Sequence, residues 1–351
     1  MENLKTCFVG PFSPPYNGDG VKNTTLKEGL KERGFKNIMF LDTIPRDQSF
    51  FTNFFRILRY LLVSEQVILS LNIRGRYTMV PLVYLLSFFR KRRTALFVMG
   101  GAMGEEVKHL NRFFRTLFVK CLNDLDAIFV QSLNLKSDLN DSGVKNVFVV
   151  YNGKKDFGHR WQKENKHGRL VFASRITKAK GIFELATAVE ILSREFNPAI
   201  KLDFYGPIDK NVSKDFERLL SRKKGLISYE GVLTPDKVQE VMSRYHLFIL
   251  PTYHDGEGLP GIMIDAGFVG IPTILSRIKA LDEFFCDKES VLFVPPLAID
   301  AIVEKVKELY DNKELQVQLS GGLRTAVKAF TISNVVNSSL SILKNKGWGV
   351  Y

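Results

Sequence analysis

Cysteine is scarce in this 351-residue chain: Cys7, Cys121 and Cys286 stand far apart, odd in number and without a C-x-x-C pair. Neither a disulfide framework nor a cysteine-based zinc site is encoded, and a reducing compartment fits that usage best. Long apolar runs are missing too. The longest uncharged one, residues 77–89, contains Pro81 and is too short to cross a bilayer. The opening Met1-Glu2-Asn3-Leu4-Lys5 has no secretory core, so a cytoplasmic protein is expected, with peripheral attachment to the inner face of the plasma membrane left open. There is no internal repeat and no low-complexity tract. Acidic residues are also short, 37 Asp and Glu against 50 Lys and Arg, for a formal charge of +13. That surplus favours anionic partners, whether nucleic acid, phosphorylated small molecules or an acidic membrane. It is lopsided: residues 1–165 carry 25 basic and 15 acidic side chains, residues 166–351 carry 25 and 22.

What is present suffices for packed cores. Hydrophobic residues make up 45% of the chain, and its length exceeds what one core usually serves, which predicts two domains. Short β-branched and aromatic runs at 6–9, 38–41, 67–69, 95–98, 127–130 and 147–150 alternate with amphipathic stretches such as 19–33 and 105–123. Runs of that length read as buried parallel strands, and the stretches between them as right-handed crossover helices. Residues 154–168 are polar and read as an interdomain linker. The alternation restarts with strands predicted at 170–173, 202–204, 247–250, 272–275 and 291–294 and a helix over 181–196; from Ala298 onward the pattern is helical. The expected fold class is α/β, with two doubly wound domains.

Open parallel sheets bind ligands beyond the carboxyl ends of their strands, and two such edges facing each other would form an interdomain cleft. The candidate motifs follow strands. After the first strand, Gly18 and Gly20 sit in a loop that leads into a helix; such a loop offers N–H groups to a phosphate, or needs its glycines only to turn. Arg175 and Lys180 follow the strand at 170–173 and flank the start of the next helix. Cations there oppose the helix dipole unless an anion is present, and a guanidinium with an ammonium suits a diphosphate; a solvated basic loop is the plainer reading. After the strand at 247–250 comes His254-Asp255-Gly256-Glu257-Gly258-Leu259-Pro260-Gly261, with Asp265 about one turn into the apolar helix that follows. Carboxylates so placed suit acid–base work on a glycosidic bond or hydrogen bonds from sugar and ribose hydroxyls, and the backbone N–H groups near Leu259–Gly261 suit a phosphate.

Arg175, Lys180-Gly181, Glu257-Gly258-Leu259-Pro260 and Gly270-Ile271-Pro272, in that order, resemble the retaining GT-B glycosyltransferases of family 4, also called group 1. Val150-Tyr151-Asn152-Gly153 and Glu230-Gly231-Val232 extend the resemblance over nearly the whole chain. It implies a GT-B fold: two Rossmann-like domains facing across a cleft, an acceptor-binding domain over 1–160 and a nucleotide-sugar-binding domain over 168–330, followed by a C-terminal helix over 331–351 that the pattern lets pack on either domain, the first included. It further implies a UDP- or GDP-linked sugar as donor substrate, no cofactor and no metal. Arg175 and Lys180 would hold the diphosphate and Glu257 would face the donor sugar, these three being the catalytic residues. Gly18 and Gly20 would approach the diphosphate, Val232 and Leu233 would meet the base, and Asp265 would accept from the ribose. Two departures stand out. Asp265 replaces the usual second glutamate, and the place where members often carry histidine reads Val98-Met99-Gly100-Gly101-Ala102-Met103-Gly104.

Asp124-Leu125-Asp126 has the spacing of a metal motif but precedes a buried strand, where a structural role is expected. The basic first half remains. Residues 50–62 mix phenylalanines with Arg56 and Arg59, residues 90–93 are all cationic, and residues 112–120 repeat the mixture. Basic–aromatic helices suit an anionic membrane, unless the phenylalanines are core and the arginines a solvated face. The combined expectation is a metal-independent retaining hexosyltransferase acting on a lipid-linked or growing-glycan acceptor in surface polysaccharide or glycoconjugate synthesis. A non-catalytic sugar-nucleotide-binding relative is the first alternative. A nucleic-acid-binding protein is the second, suggested by charge alone and lacking a recognition module.

Overall fold

The structure, a computed structural model, describes residues 6–14, 18–33, 37–44, 49–164, 167–196, 200–254, 258–278 and 280–349. The chain divides into two compact units. The first is built from Met1–Lys155, Gly256–Gly258 and Phe330–Tyr351, the second from Asp156–Asp255 and Leu259–Ala329.

The first unit contains a six-stranded parallel sheet of β1 (Thr6–Gly10), β2 (Ile38–Asp42), β3 (Gln66–Leu71), β4 (Arg93–Val98), β5 (Ala127–Val130) and β6 (Val147–Val149), in the order β2-β1-β3-β4-β5-β6. Both faces are covered, which is why these strands are apolar throughout rather than alternating. On one face lie α2 (Phe50–Val63), α3 (Ile73–Ser87), α4 (Met103–His109), α5 (Arg112–Asn123) and α6 (Leu133–Asp141), sending Ile57, Leu61, Val80, Val107, Phe118 and Leu139 into one core. The other face packs against α1 (Gly18–Glu32) and, from the end of the chain, α13 (Ile332–Asn345). The single helix expected over 105–123 is two: Leu110 is extended, and the side chain of Asn111 caps α5 by accepting from Phe114 N at 3.0 Å. An asparagine that bonds the backbone three residues on starts a helix rather than continuing one.

The second unit repeats the plan with β7 (Arg169–Ala173), β8 (Lys201–Tyr205), β9 (Ile227–Tyr229), β10 (Leu247–Leu250), β11 (Thr273–Ser276) and β12 (Leu292–Val294), in the order β12-β11-β10-β7-β8-β9. Its helices are α7 (Ile182–Glu195), α8 (Ser213–Arg222), α9 (Val238–Met242), α10 (Gly261–Val269), α11 (Ile299–Tyr310) and α12 (Lys313–Val327). The polar stretch after Asn152 is not a free linker: Trp161 is buried, its backbone N–H donates to Val269 O at 2.8 Å and its indole Nε1 to His246 O at 3.2 Å. One tryptophan fastens a segment whose neighbours are hydrophilic.

Beside it, at the amino end of β10, His246 is 1% exposed; Gly168 N donates to its Nδ1, Gln316 Nε2 lies 3.1 Å from its Nε2, and the His167 ring centroid is 4.6 Å away. Burial, helped by the neighbouring His167, pushes its pKa down to about 4. Of the two domains open to it from the sequence, the C-terminal helix joins the first: Lys154 N donates to Phe330 O at 2.9 Å, Ile332 N donates to Lys154 O at 2.8 Å, and Val335, Val336 and Leu343 enter the core beside Leu26 and Leu30 of α1.

Candidate functional site

In the second sheet the chain winds outward from β7 through β8 to β9 and then returns to β7's other side at β10. The gap between β7 and β10 is therefore the topological switch point, where the connections leaving the two strands diverge and expose a crevice at the carboxyl edge. The loops bearing most of the candidate residues leave these two strands.

Beyond β7, Ile176 is buried and anchors the loop, its N–H donating to Pro207 O at 2.9 Å, while Arg175 beside it is exposed. A 3₁₀ turn, Lys178–Lys180, follows, and Lys180 is 9% exposed. Gly181 then opens α7 with φ of +73°, and a Cβ there would lie 2.1 Å from Pro251 O. Only glycine serves, because the left-handed backbone and the approach of the second loop both forbid a side chain. The loops are also hydrogen-bonded: Tyr253 N donates to Ala179 O at 2.8 Å, Thr252 Oγ1 donates to the same carbonyl at 3.3 Å, and His254 N reaches Thr252 Oγ1 at 3.4 Å. Lys180 thus stands on a turn that the His254 loop fixes in place, and Arg175 on the segment leading into it, beside the Ile176 anchor. Glu257 lies outside the described residues. After it, Gly258 is half-buried, Leu259 and Pro260 are buried, and Pro260 caps α10 at Gly261 without a side-chain cap bond. The first N–H groups of α10 keep their dipole for an anion.

Asp265 is 2% exposed on α10 and accepts from Gln239 Nε2 at 3.0 Å; Gln239, 0% exposed, in turn accepts from Phe157 N at 2.9 Å through Oε1. The buried carboxylate therefore has a protein donor, and this pair ties α10 to α9 and to the segment entering the unit. Gln239 escaped the sequence reading because its short helix shows no period that would mark a buried amide. Val232 and Leu233 follow β9, with Val232 exposed and Leu233 half-buried; Gly231 O accepts from Gly206 N at 2.9 Å, which holds their start beside the carboxyl end of β8.

In the first unit, Gly18 and Gly20 lie in the opening turn of α1, Gly18 exposed and Gly20 buried; residues 15–17 of the glycine loop fall outside the described residues. At the carboxyl edge the structure adds side chains that the sequence reading missed. Lys22 Nζ lies 3.4 Å from Val98 O, and Gln131 Nε2 donates to the same oxygen at 2.9 Å; Asn152 Nδ2 donates to Gln131 Oε1 at 2.7 Å. Burial pushes the Lys22 pKa down to about 7, with Asp19 opposing the fall. Arg76, 2% exposed, donates to Met99 O at 2.7 Å and to Glu106 Oε2 at 2.5 Å, so the loop after β4 is held by a buried guanidinium. Asp124 and Asp126 are structural: Asp126 accepts from Thr94 N at 2.8 Å and Asp124 from Ser87 Oγ at 3.1 Å.

Residues 154–323 match the family model described as glycosyl transferases group 1. Among curated proteins, the chain is similar to a putative teichuronic acid biosynthesis glycosyltransferase, TuaC, of Bacillus subtilis (strain 168), 26% identical over 145 residues, which is 41% of this chain and 33% of that protein. It is also similar to the capsular polysaccharide biosynthesis glycosyltransferase CapH of Staphylococcus aureus, 23% identical over 166 residues, 46% of this chain and 44% of that protein. The chain thus spans under half the length of these curated relatives. Among solved structures it resembles Anabaena Alr3699/HepE in complex with UDP-glucose, with a TM-score of 0.76 at 10% identity, covering 97% of this chain and 99% of that one. At that identity the likeness is one of fold, and the fold is GT-B.

Proposed function

We propose that the chain is a metal-independent retaining glycosyltransferase that moves a hexose-type sugar from a UDP- or GDP-linked donor to a lipid-linked or growing-glycan acceptor in surface polysaccharide or glycoconjugate synthesis. The observation that carries this reading is the joining, at one switch point, of the cationic segment bearing Arg175 and Lys180 to the loop that leads to α10. Two cations and a helix start without a side-chain cap among the described residues, gathered where open parallel sheets take their ligands, suit a diphosphate. The match of residues 154–323 and the polysaccharide-related relatives support the same reading.

In this reading Arg175 and Lys180 hold the diphosphate and stabilise the negative charge that grows on its terminal oxygen as the bond to the sugar breaks, the work that a metal does in other designs. Glu257 and His254 face the donor sugar, and the backbone of Gly258, Leu259, Pro260 and Gly261 lines the phosphate end. Asp265 serves the ribose end by holding Gln239 and the start of α10, and Val232 and Leu233 meet the base. Gly18 and Gly20 keep the diphosphate role that the family resemblance gives them. With a lipid-linked acceptor, the protein works as a peripheral protein at the cytoplasmic face of the membrane.

A thermal-shift titration with UDP, GDP and their sugar conjugates tests the donor. A nucleotide that binds only the folded state raises Tm, and no rise with any of them removes the reading. Donor hydrolysis or transfer by Lys180→Ala and Glu257→Ala is then expected to fall about 100-fold or more. Unchanged rates in both remove the residue assignments.

A further inference from the structure

Helices α2, α3 and α5 contain no aspartate or glutamate, yet carry Arg56, Arg59, Arg74, Arg112, Arg115 and Lys120. They cover one face of the first sheet side by side: α2 packs on β1, α3 on β3 and α5 on α3, with Tyr77 and Phe118 rings in contact at 4.7 Å. The core beneath them is filled by other residues, Ile57 and Leu61 from α2 and Phe118 and Leu122 from α5. On α2 and α5 other apolar side chains face outward: Phe50 is 67% exposed, Phe51 71%, Phe55 62%, Phe113 73%, Phe114 56%, and Leu117 46%, while Tyr60, Tyr77 and Tyr84 pack on the core. Monomeric proteins rarely leave so much apolar area in contiguous helices without a use.

The exposed apolar residues reach both ends of the helices, with Leu62 and Val63 at the end of α2, Leu85 at the end of α3 and Phe88 and Phe89 just after it. Crossover helices run antiparallel to their strands, so the first turns of α2 and α5 lie at the carboxyl edge of the sheet. Phe50, Phe51 and Phe55 belong to the start of α2, and Phe113, Phe114 and Leu117 to the first half of α5. One end of the apolar face therefore borders the same edge as Lys22, Gln131 and Asn152.

We propose that the outer face of α2, α3 and α5 is the surface by which this protein docks on an anionic lipid bilayer, with the phenylalanines in the acyl boundary and the arginines at the headgroups. A partner protein would fill a groove of one shape. Exposed rings on α2 and α5, with arginines on all three helices and no acidic residue among them, instead complement a soft negative surface. The proposal deepens the reading of a lipid-linked acceptor, since it sets the membrane beside the edge where that acceptor would be bound.

The test uses the full chain, sedimented with vesicles of phosphatidylcholine alone or of phosphatidylcholine and phosphatidylglycerol in equal parts. These hold neither acceptor nor nucleotide sugar, so the outcome is independent of whether transfer occurs. Binding is expected to the anionic vesicles at least about tenfold more tightly than to the neutral ones, and to weaken with salt. Removing two charges in Arg112→Gln with Arg115→Gln is expected to weaken it about 25-fold, at roughly fivefold per charge. Phe113→Ser with Phe114→Ser, at exposed positions, is expected to abolish it with melting unchanged. Equal binding to both vesicle types, wild-type binding by both variants, or a phenylalanine-dependent dimer in a protein that ignores vesicles would each overturn the proposal.

Discussion

The backbone N–H of Tyr253 donates to the carbonyl of Ala179 across 2.8 Å, joining the loop after β10 to the turn after β7. Because the two strands are neighbours in the sheet, this backbone bond sets the spacing of the turn at Lys180 and the loop at His254. A site built this way depends on backbone, so its weak points are residues that shape backbone.

Gly181→Ala strikes that point. A methyl group would sit 2.1 Å from Pro251 O on a residue whose φ is +73°. The expected cost is about 2 kcal/mol, which lowers Tm by about 4–8 °C for a unit of this size. A melting curve checks it, and nucleotide binding should weaken in the same variant as the turn shifts. An unchanged Tm would mean that the two loops are not in contact.

Asp265 and Gln239 should behave as a pair. Asp265→Ala takes one acceptor from a buried amide, and Gln239→Leu takes one donor from a buried carboxylate, each costing about 1–3 kcal/mol. Urea unfolding of both single variants and the double variant should show a coupling of about 1 kcal/mol or more. Strict additivity would show that the bond between them contributes nothing.

His246 should make the protein acid-sensitive. Its pKa falls to about 4 in the folded state from an ordinary 6.5, so between those values the unfolded chain binds the extra proton. Stability from this group is complete above pH 6.5 and drains away as pH falls toward 4, by about 3 kcal/mol in all. Urea midpoints measured from pH 8 to pH 4 should show that slope, and His246→Gln should flatten it. An identical slope in the variant would assign the acid sensitivity to other groups.

Most of the fold could be read from short apolar runs because strands buried on both faces need no alternation to be recognised. β9 escaped since three residues, Ile227–Tyr229, show no pattern. The break between α4 and α5 escaped because the apolar period runs through Leu110, and only the capping bond of Asn111 shows where the new helix starts. Arg175 and Lys180 could be picked out since both follow a strand. Gln239, Gln131, Lys22 and Arg76 could not, because each has its place through a partner far away in sequence. The phenylalanines of α2 and α5 posed a choice between core and surface, which composition alone leaves open and exposure decides.

The reciprocal backbone bonds between Lys154 and the residues around Thr331 bear on how the protein is made. Half of the first unit's core, including Phe8, Phe12, Ile68 and Phe129, is closed by Val335, Val336 and Leu343. During synthesis that apolar face stays open while the entire second unit is translated. The unit made first is thus the last to be finished, and the cell has to keep its bare sheet from sticking to other chains until residues 332–345 emerge from the ribosome.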